Sequence, residues 1–120
     1  MERQEVMFEA EIERGAKVLD KDDPGWALES AKRPIDVERL DMSDPHWCVL
    51  GQHRGSYFDE IDRLFKGWNI LFELLYEQSK SCGFVADGRL GPFFLGKGWR
   101  AFIRKRRKDA RLALSQTKGR

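Results

Sequence analysis

An all-α fold is predicted by three features of this 120-residue chain: long segments with apolar residues at helical spacing, stop-and-cap signals between them, and a basic amphipathic segment at the C-terminal end. The length fits one compact domain. Apolar residues make up 41% of the chain, enough to bury a core, and the 35% charged residues imply a heavily solvated surface. The expected architecture is a single helical bundle of four to five helices over residues 1–115, with a frayed basic tail over 116–120.

The first helix is expected over residues 3–20, where Phe8, Ile12, Gly15 and Leu19 share a face. Asp23-Pro24-Gly25 stops it, and Trp26 and Leu28 follow as anchors on the core. Residues 29–43 are less regular. Either a short extended piece around Ile35 and Val37 or one helical turn capped by Asp36 is consistent with them. Asp44-Pro45 reads as a helix start, and Gly55 as the stop of a short helix through Trp47, Val49 and Leu50.

Ser56–Asp59 has the form of a capping box, and Phe58, Ile61, Leu64, Phe65, Trp68, Leu71, Phe72, Leu75 and Cys82 fall on one broad face after it. This segment is expected to be the central hydrophobic helix, with a kink or break at Gly67 left open. Five glycines and Pro92 over residues 83–98 read as a loop that carries Phe93, Phe94 and Leu95. The last helix is expected over residues 97–114, with Trp99, Phe102, Ile103, Ala110, Ala113 and Leu114 on its apolar face.

Charge is divided sharply along the chain. Residues 97–120 hold ten Lys or Arg and one acid, about +9, whereas residues 1–96 hold twelve bases and nineteen acids, about −7. Arg100, Arg104, Arg107, Lys108 and Arg111 form a stripe at helical spacing, with Lys105 beside them. Such a stripe can track a phosphate backbone, lie on an anionic membrane surface, clamp acidic parts of the same or a neighbouring chain, or serve as a solvated face.

Little here points to catalysis. His46, Cys48 and His53 do not have the spacing of a tetrahedral zinc site, so no metal or cofactor is expected. Cys48 with either histidine is the only visible pairing for a nucleophile, and no surrounding motif supports an activated thiol. Leu50-Gly51, Gly55, Ile61 and Leu64 loosely match a helix-turn-helix, but Asp59, Glu60 and Asp62 on its second helix would repel phosphates. The N-terminal residues have no signal-peptide core, and no apolar run approaches a membrane span. A cytoplasmic protein with two reduced cysteines, Cys48 and Cys82, is the expectation.

The string Glu13-Arg14-Gly15-Ala16-Lys17-Val18-Leu19-Asp20, then Pro24-Gly25-Trp26, Ile35-Asp36, Leu40-Asp41, Cys48-Val49-Leu50-Gly51-Gln52, Gly55 and Tyr57, resembles a group of small orphan proteins of actinobacteria and their phages, mycobacteriophages especially. Gly83-Phe84 and Trp99-Arg100 extend the likeness, which covers about residues 10 to 108. The resemblance implies an origin, and a host cytoplasm as the compartment, without assigning a role to any residue. Residues 89–98 and the run 104–108 depart from the shared pattern.

The function these readings imply is a non-enzymatic accessory binding protein. Its basic helix would dock Arg100, Arg104, Lys105, Arg107, Lys108 and Arg111 on DNA or RNA. The alternative is a protein-interaction module that modulates a host protein through Phe93, Phe94 and Leu95, or a homodimer.

Overall fold

The computed structural model describes residues 8–65 and 72–118. Five helices follow one another: α1 Glu9–Asp22, α2 Val49–Arg54, α3 Tyr57–Phe65, α4 Phe72–Ser81 and α5 Gly91–Lys118. No strand occurs among the described residues, so the fold is all-α, as the periodicity implied. Helix α1 packs on α4 and α5, α2 on α3, and α3 on α4.

Trp99 of α5 sits at the centre, fully buried. Its ring stacks on Phe84 with centroids 6.2 Å apart and meets Trp26 edge-on at 5.8 Å. The indole Nε1 donates to the Gly83 carbonyl at 2.6 Å, so the polar end of a buried Trp is satisfied. Leu95 and Ile103, one turn to either side of Trp99, are also fully buried. Close approach of α1 to this centre depends on Gly15, where a Cβ would lie 2.0 Å from the Cys82 carbonyl oxygen.

Several expectations are corrected. The last helix begins at Gly91 instead of 97, and Phe93, Phe94 and Leu95 lie in its first two turns and not in a loop. Pro92 is tolerated there because first-turn amides need no helical partner. Gly91 serves packing, since a Cβ there would be 3.2 Å from the Ala86 methyl carbon. Within the supposed interaction loop, Leu95 is core while Phe93 is 60% exposed. Helix α5 runs on through Lys118, beyond the expected end at 114.

The segment expected as one central helix is described as α3 and α4, and Gly67 lies outside the described residues. Ile61 and Phe65 reach the core, but Phe58 is 66% exposed, so Trp99 of α5 holds the centre instead. Asp44 starts a turn by accepting from the amides of His46 and Trp47, and α2 begins later. Its N-cap is Cys48, whose Sγ accepts from the Gly51 amide at 3.3 Å. Gly55 closes α2 as the sequence indicated.

Residues 23–48 form a long connection without a helix of their own. Asp36 caps a single turn by accepting from the amides of Glu38 and Arg39, one of the two forms weighed for it. Gln52 locks that turn, accepting from the Asp36 amide at 2.6 Å and donating to the Asp36 and Trp47 carbonyls at 3.1 Å each. Ile35, Leu40 and Met42 anchor the connection by burial.

Candidate functional site

The basic stripe of α5 largely faces this connection. Arg100 donates to the Val37 and Leu40 carbonyls at 2.8 and 3.0 Å. Arg107 donates to the carbonyls of Ala27 and Ile35 at 2.9 and 2.7 Å. Arg104 pairs with Glu38 and Arg111 with Glu29, each at 2.6 Å. Lys105 pairs within the helix with Asp109 at 3.1 Å. Arg106 reaches Asp20 with two hydrogen bonds and holds that carboxyl below its usual range.

A guanidinium is a fork of donors, and a helix-free connection is a run of carbonyls that the backbone leaves open. Arg100 and Arg107 therefore cap main-chain acceptors of residues 27–40. Arg104, Lys105, Lys108 and Arg111 of the stripe are exposed, as is Lys97 one turn before Arg100, whereas Arg100 and Arg107 are half-buried.

A second surface was not anticipated by the sequence. An apolar groove of about 460 Å³ lies between α3, α4 and the segments around residues 42–48 and 84–85. Met42, Pro45, Tyr57, Phe58, Leu75 and Phe84 supply its apolar walls. Among the described residues, the charged ones that line it are Asp44 and Asp62, both acidic. Tyr57 is oriented by a 2.8 Å hydrogen bond with Ser79, and burial raises its hydroxyl pKa.

Cys48 forms part of the groove wall. Its thiol contacts Pro45 and Gly51, and burial pushes its pKa up to about 11. Cys82 is a buried free thiol raised for the same reason. His46 is tied instead to the Gly55 carbonyl at 2.8 Å. A disulfide reagent at pH 8 is therefore expected to titrate less than ~10% of the native thiol within minutes, and both thiols in denaturant. Rapid labelling of native Cys48 would contradict its burial.

The third cluster joins α1, α2 and α3. Arg63 makes paired hydrogen bonds to Asp22 at 2.8 and 2.7 Å and to Glu60 at 2.8 and 2.9 Å. Glu60 and His53 are 3% and 4% exposed. Donor atoms of Asp22, His53 and Glu60 lie within 4.8 Å of one another, the separation of metal ligands. Arg63 already brings a cation to both carboxylates, so this donor set reads as an ion-paired network and not as a metal centre.

Burial holds the His53 pKa below its ordinary 6.5, and so the ring is neutral at pH 7 despite Asp23 at 3.7 Å. An unfolded chain then takes up this proton more readily than the folded one, and stability falls as pH drops below about 6.5. The urea midpoint is expected to fall between pH 7 and pH 5, and His53→Gln to flatten that fall. An unchanged pH dependence in the variant would assign it to other groups.

The helix-turn-helix likeness takes the form of a short hairpin. Helix α2 has six residues, and α3 exposes Asp59 and Asp62. No described helix is long and apolar enough to cross a membrane. No protein-family model, curated protein or solved structure matches the chain. The described residues thus define five helices with an acid-rimmed apolar groove and a largely self-engaged basic helix.

Proposed function

We propose that this chain is a non-enzymatic binding protein whose docking surface is the α3/α4 groove. Its ligand is a short helical segment of polypeptide, apolar on one face and basic beside it. The groove's composition carries this reading: apolar walls, an exposed Phe58 at the edge, and Asp44 and Asp62 as the charged residues among the described lining. Its volume of about 460 Å³ suits a few apolar side chains, and acids at the rim favour cationic flanks and disfavour anionic ones. A host protein of the kind suggested by the phage resemblance is a natural source of such a segment.

The polyanion reading rests on the exposed Lys97 and Lys108, and on Lys105, along α5. It draws less support from the arginines, because Arg100, Arg104, Arg107 and Arg111 all hold acceptors of their own chain.

The test uses a labelled model helix with Leu at i, i+3 and i+7 and Lys elsewhere, beside a counterpart with Glu for Lys. The Leu/Lys helix is expected to bind with Kd in the tens of micromolar, roughly −6 kcal/mol, and the Leu/Glu helix to bind much less. Phe58→Asp should weaken binding about tenfold. Failure of the Leu/Lys helix to bind at ~200 µM would overturn the reading. Duplex DNA binding that falls steeply from ~50 to ~300 mM salt and survives Phe58→Asp would favour the basic helix as the functional surface.

A further inference from the structure

We infer that the segment taken by the groove is the C-terminal end of α5 from a second copy of this chain. The inference rests on the groove reading above and names its occupant. Helix α5 has 28 residues and so runs about 42 Å. Trp99, Ile103, Ala110, Ala113 and Leu114 lie on one face at 100° per residue, interrupted by Arg106, which turns to Asp20. That face is fully buried at Trp99 and Ile103, half-buried at Ala110, and exposed at Ala113 and Leu114, where Leu114 is 63% open to solvent. The face therefore opens to solvent beyond the buried Trp99 and Ile103, at Leu114. Leu112 lies about 200° away and is not part of it.

Charge matches this end to the groove. Residues 108–120 carry Lys108, Arg111, Lys118 and Arg120 against Asp109, and with Arg111 set aside as Glu29's partner the end is still basic, by about +2, while the described charged residues lining the groove are Asp44 and Asp62. The same chain cannot easily fill its own groove. Phe84 forms one groove wall and stacks on Trp99, and Leu114 lies 15 residues farther along α5, about 22 Å away. A straight helix carries Leu114 away from that wall, so the contact is between copies. Two copies that exchange ends close the contact reciprocally, giving a dimer with both grooves filled.

Sedimentation equilibrium from ~5 to ~200 µM tests this, a range that reaches the weak affinities expected of a small docking surface. The wild-type chain is expected to populate a species of twice its 14.0 kDa mass. Leu114→Lys in the helix end and Phe58→Asp in the groove should each weaken self-association at least about tenfold. Both side chains are exposed, so both variants should keep the wild-type circular dichroism. Mixing the two variants should restore a one-to-one complex, because one intact groove then meets one intact helix end. Excess Leu/Lys helix should dissociate the dimer.

A wild-type chain that stays monomeric to ~200 µM overturns the inference, and so does association indifferent to both substitutions. A monomer that still binds the Leu/Lys helix drops only the second copy as occupant and keeps the groove as a docking site. A monomer that rejects the helix removes both.

Discussion

Removal of the Arg63 guanidinium is expected to cost about 3–5 kcal/mol, a large share of the 5–15 kcal/mol that holds a typical domain together. Glu60 accepts two hydrogen bonds from this group and is almost completely removed from water. In Arg63→Ala the carboxylate must remain buried without its partner, take up a proton, or open the packing of α3 to reach water. Asp22 loses its paired hydrogen bonds in the same step, so α1 loses a link to α3 across 41 residues of sequence. The melting temperature should fall by roughly 10–20 °C, read by circular dichroism.

Replacing the ion pair together, as Glu60→Gln with Arg63→Met, should recover part of this loss, because no uncompensated charge is left. A fall of less than ~5 °C in Arg63→Ala would mean that Glu60 is served by water. Asp22 adds a sign that can be checked. Its hydrogen bonds with Arg63 hold its pKa below the ordinary 3.8, so its contribution is present above pH 3.8 and is lost as pH falls through the lower folded value. Acid unfolding should therefore be shallower below pH 3.8 in the Arg63 variant than in the wild type.

Local signals were the legible part of this fold. The stop at Gly55, the Asp36-capped turn and the amphipathic core of α1 each depend on neighbours within four residues, and the sequence displays those neighbours directly. Phe93–Leu95 was misread because glycines were taken as turn signals. At Gly91 the missing Cβ instead leaves room for Ala86 against α5. A missing Cβ reads the same in sequence whether it frees the backbone or admits a neighbour.

The candidate site was less legible still. Phe58 has the spacing of the buried positions Ile61 and Phe65, and only the tertiary arrangement shows that it edges an open groove. The Asp22–Arg63 pair joins residues far apart in the chain, which periodicity cannot connect. The basic stripe was the strongest signal and the least specific. Its spacing fixes which side of α5 is charged, but not whether carbonyls, phosphates or water face it.

Arg107→Glu settles what that stripe does at its centre, and its expected effect is a loss of about 3–6 kcal/mol. Nε and Nη2 of Arg107 serve the Ala27 and Ile35 carbonyls, and a hydrogen bond from a charged donor contributes roughly 1.5–3 kcal/mol. The substitution replaces both donors with an acceptor and sets a carboxylate near Glu29 and Asp36, which already act on this position. Arg104→Glu, three residues earlier, breaks an exposed pair with Glu38 and should cost no more than about 1 kcal/mol. A free docking stripe predicts the opposite pattern: both substitutions weaken binding and neither unfolds the domain. Thermal melting of the two single variants separates the cases. A fall above ~10 °C for Arg107→Glu beside less than ~4 °C for Arg104→Glu identifies Arg107 as a staple of the 23–48 connection. Small equal falls would return the stripe to the solvent and to a polyanion. With the staple in place, loss of nucleic-acid binding in Arg107→Glu would report unfolding, and the exposed Lys97 and Lys108 are the positions at which to test charge alone.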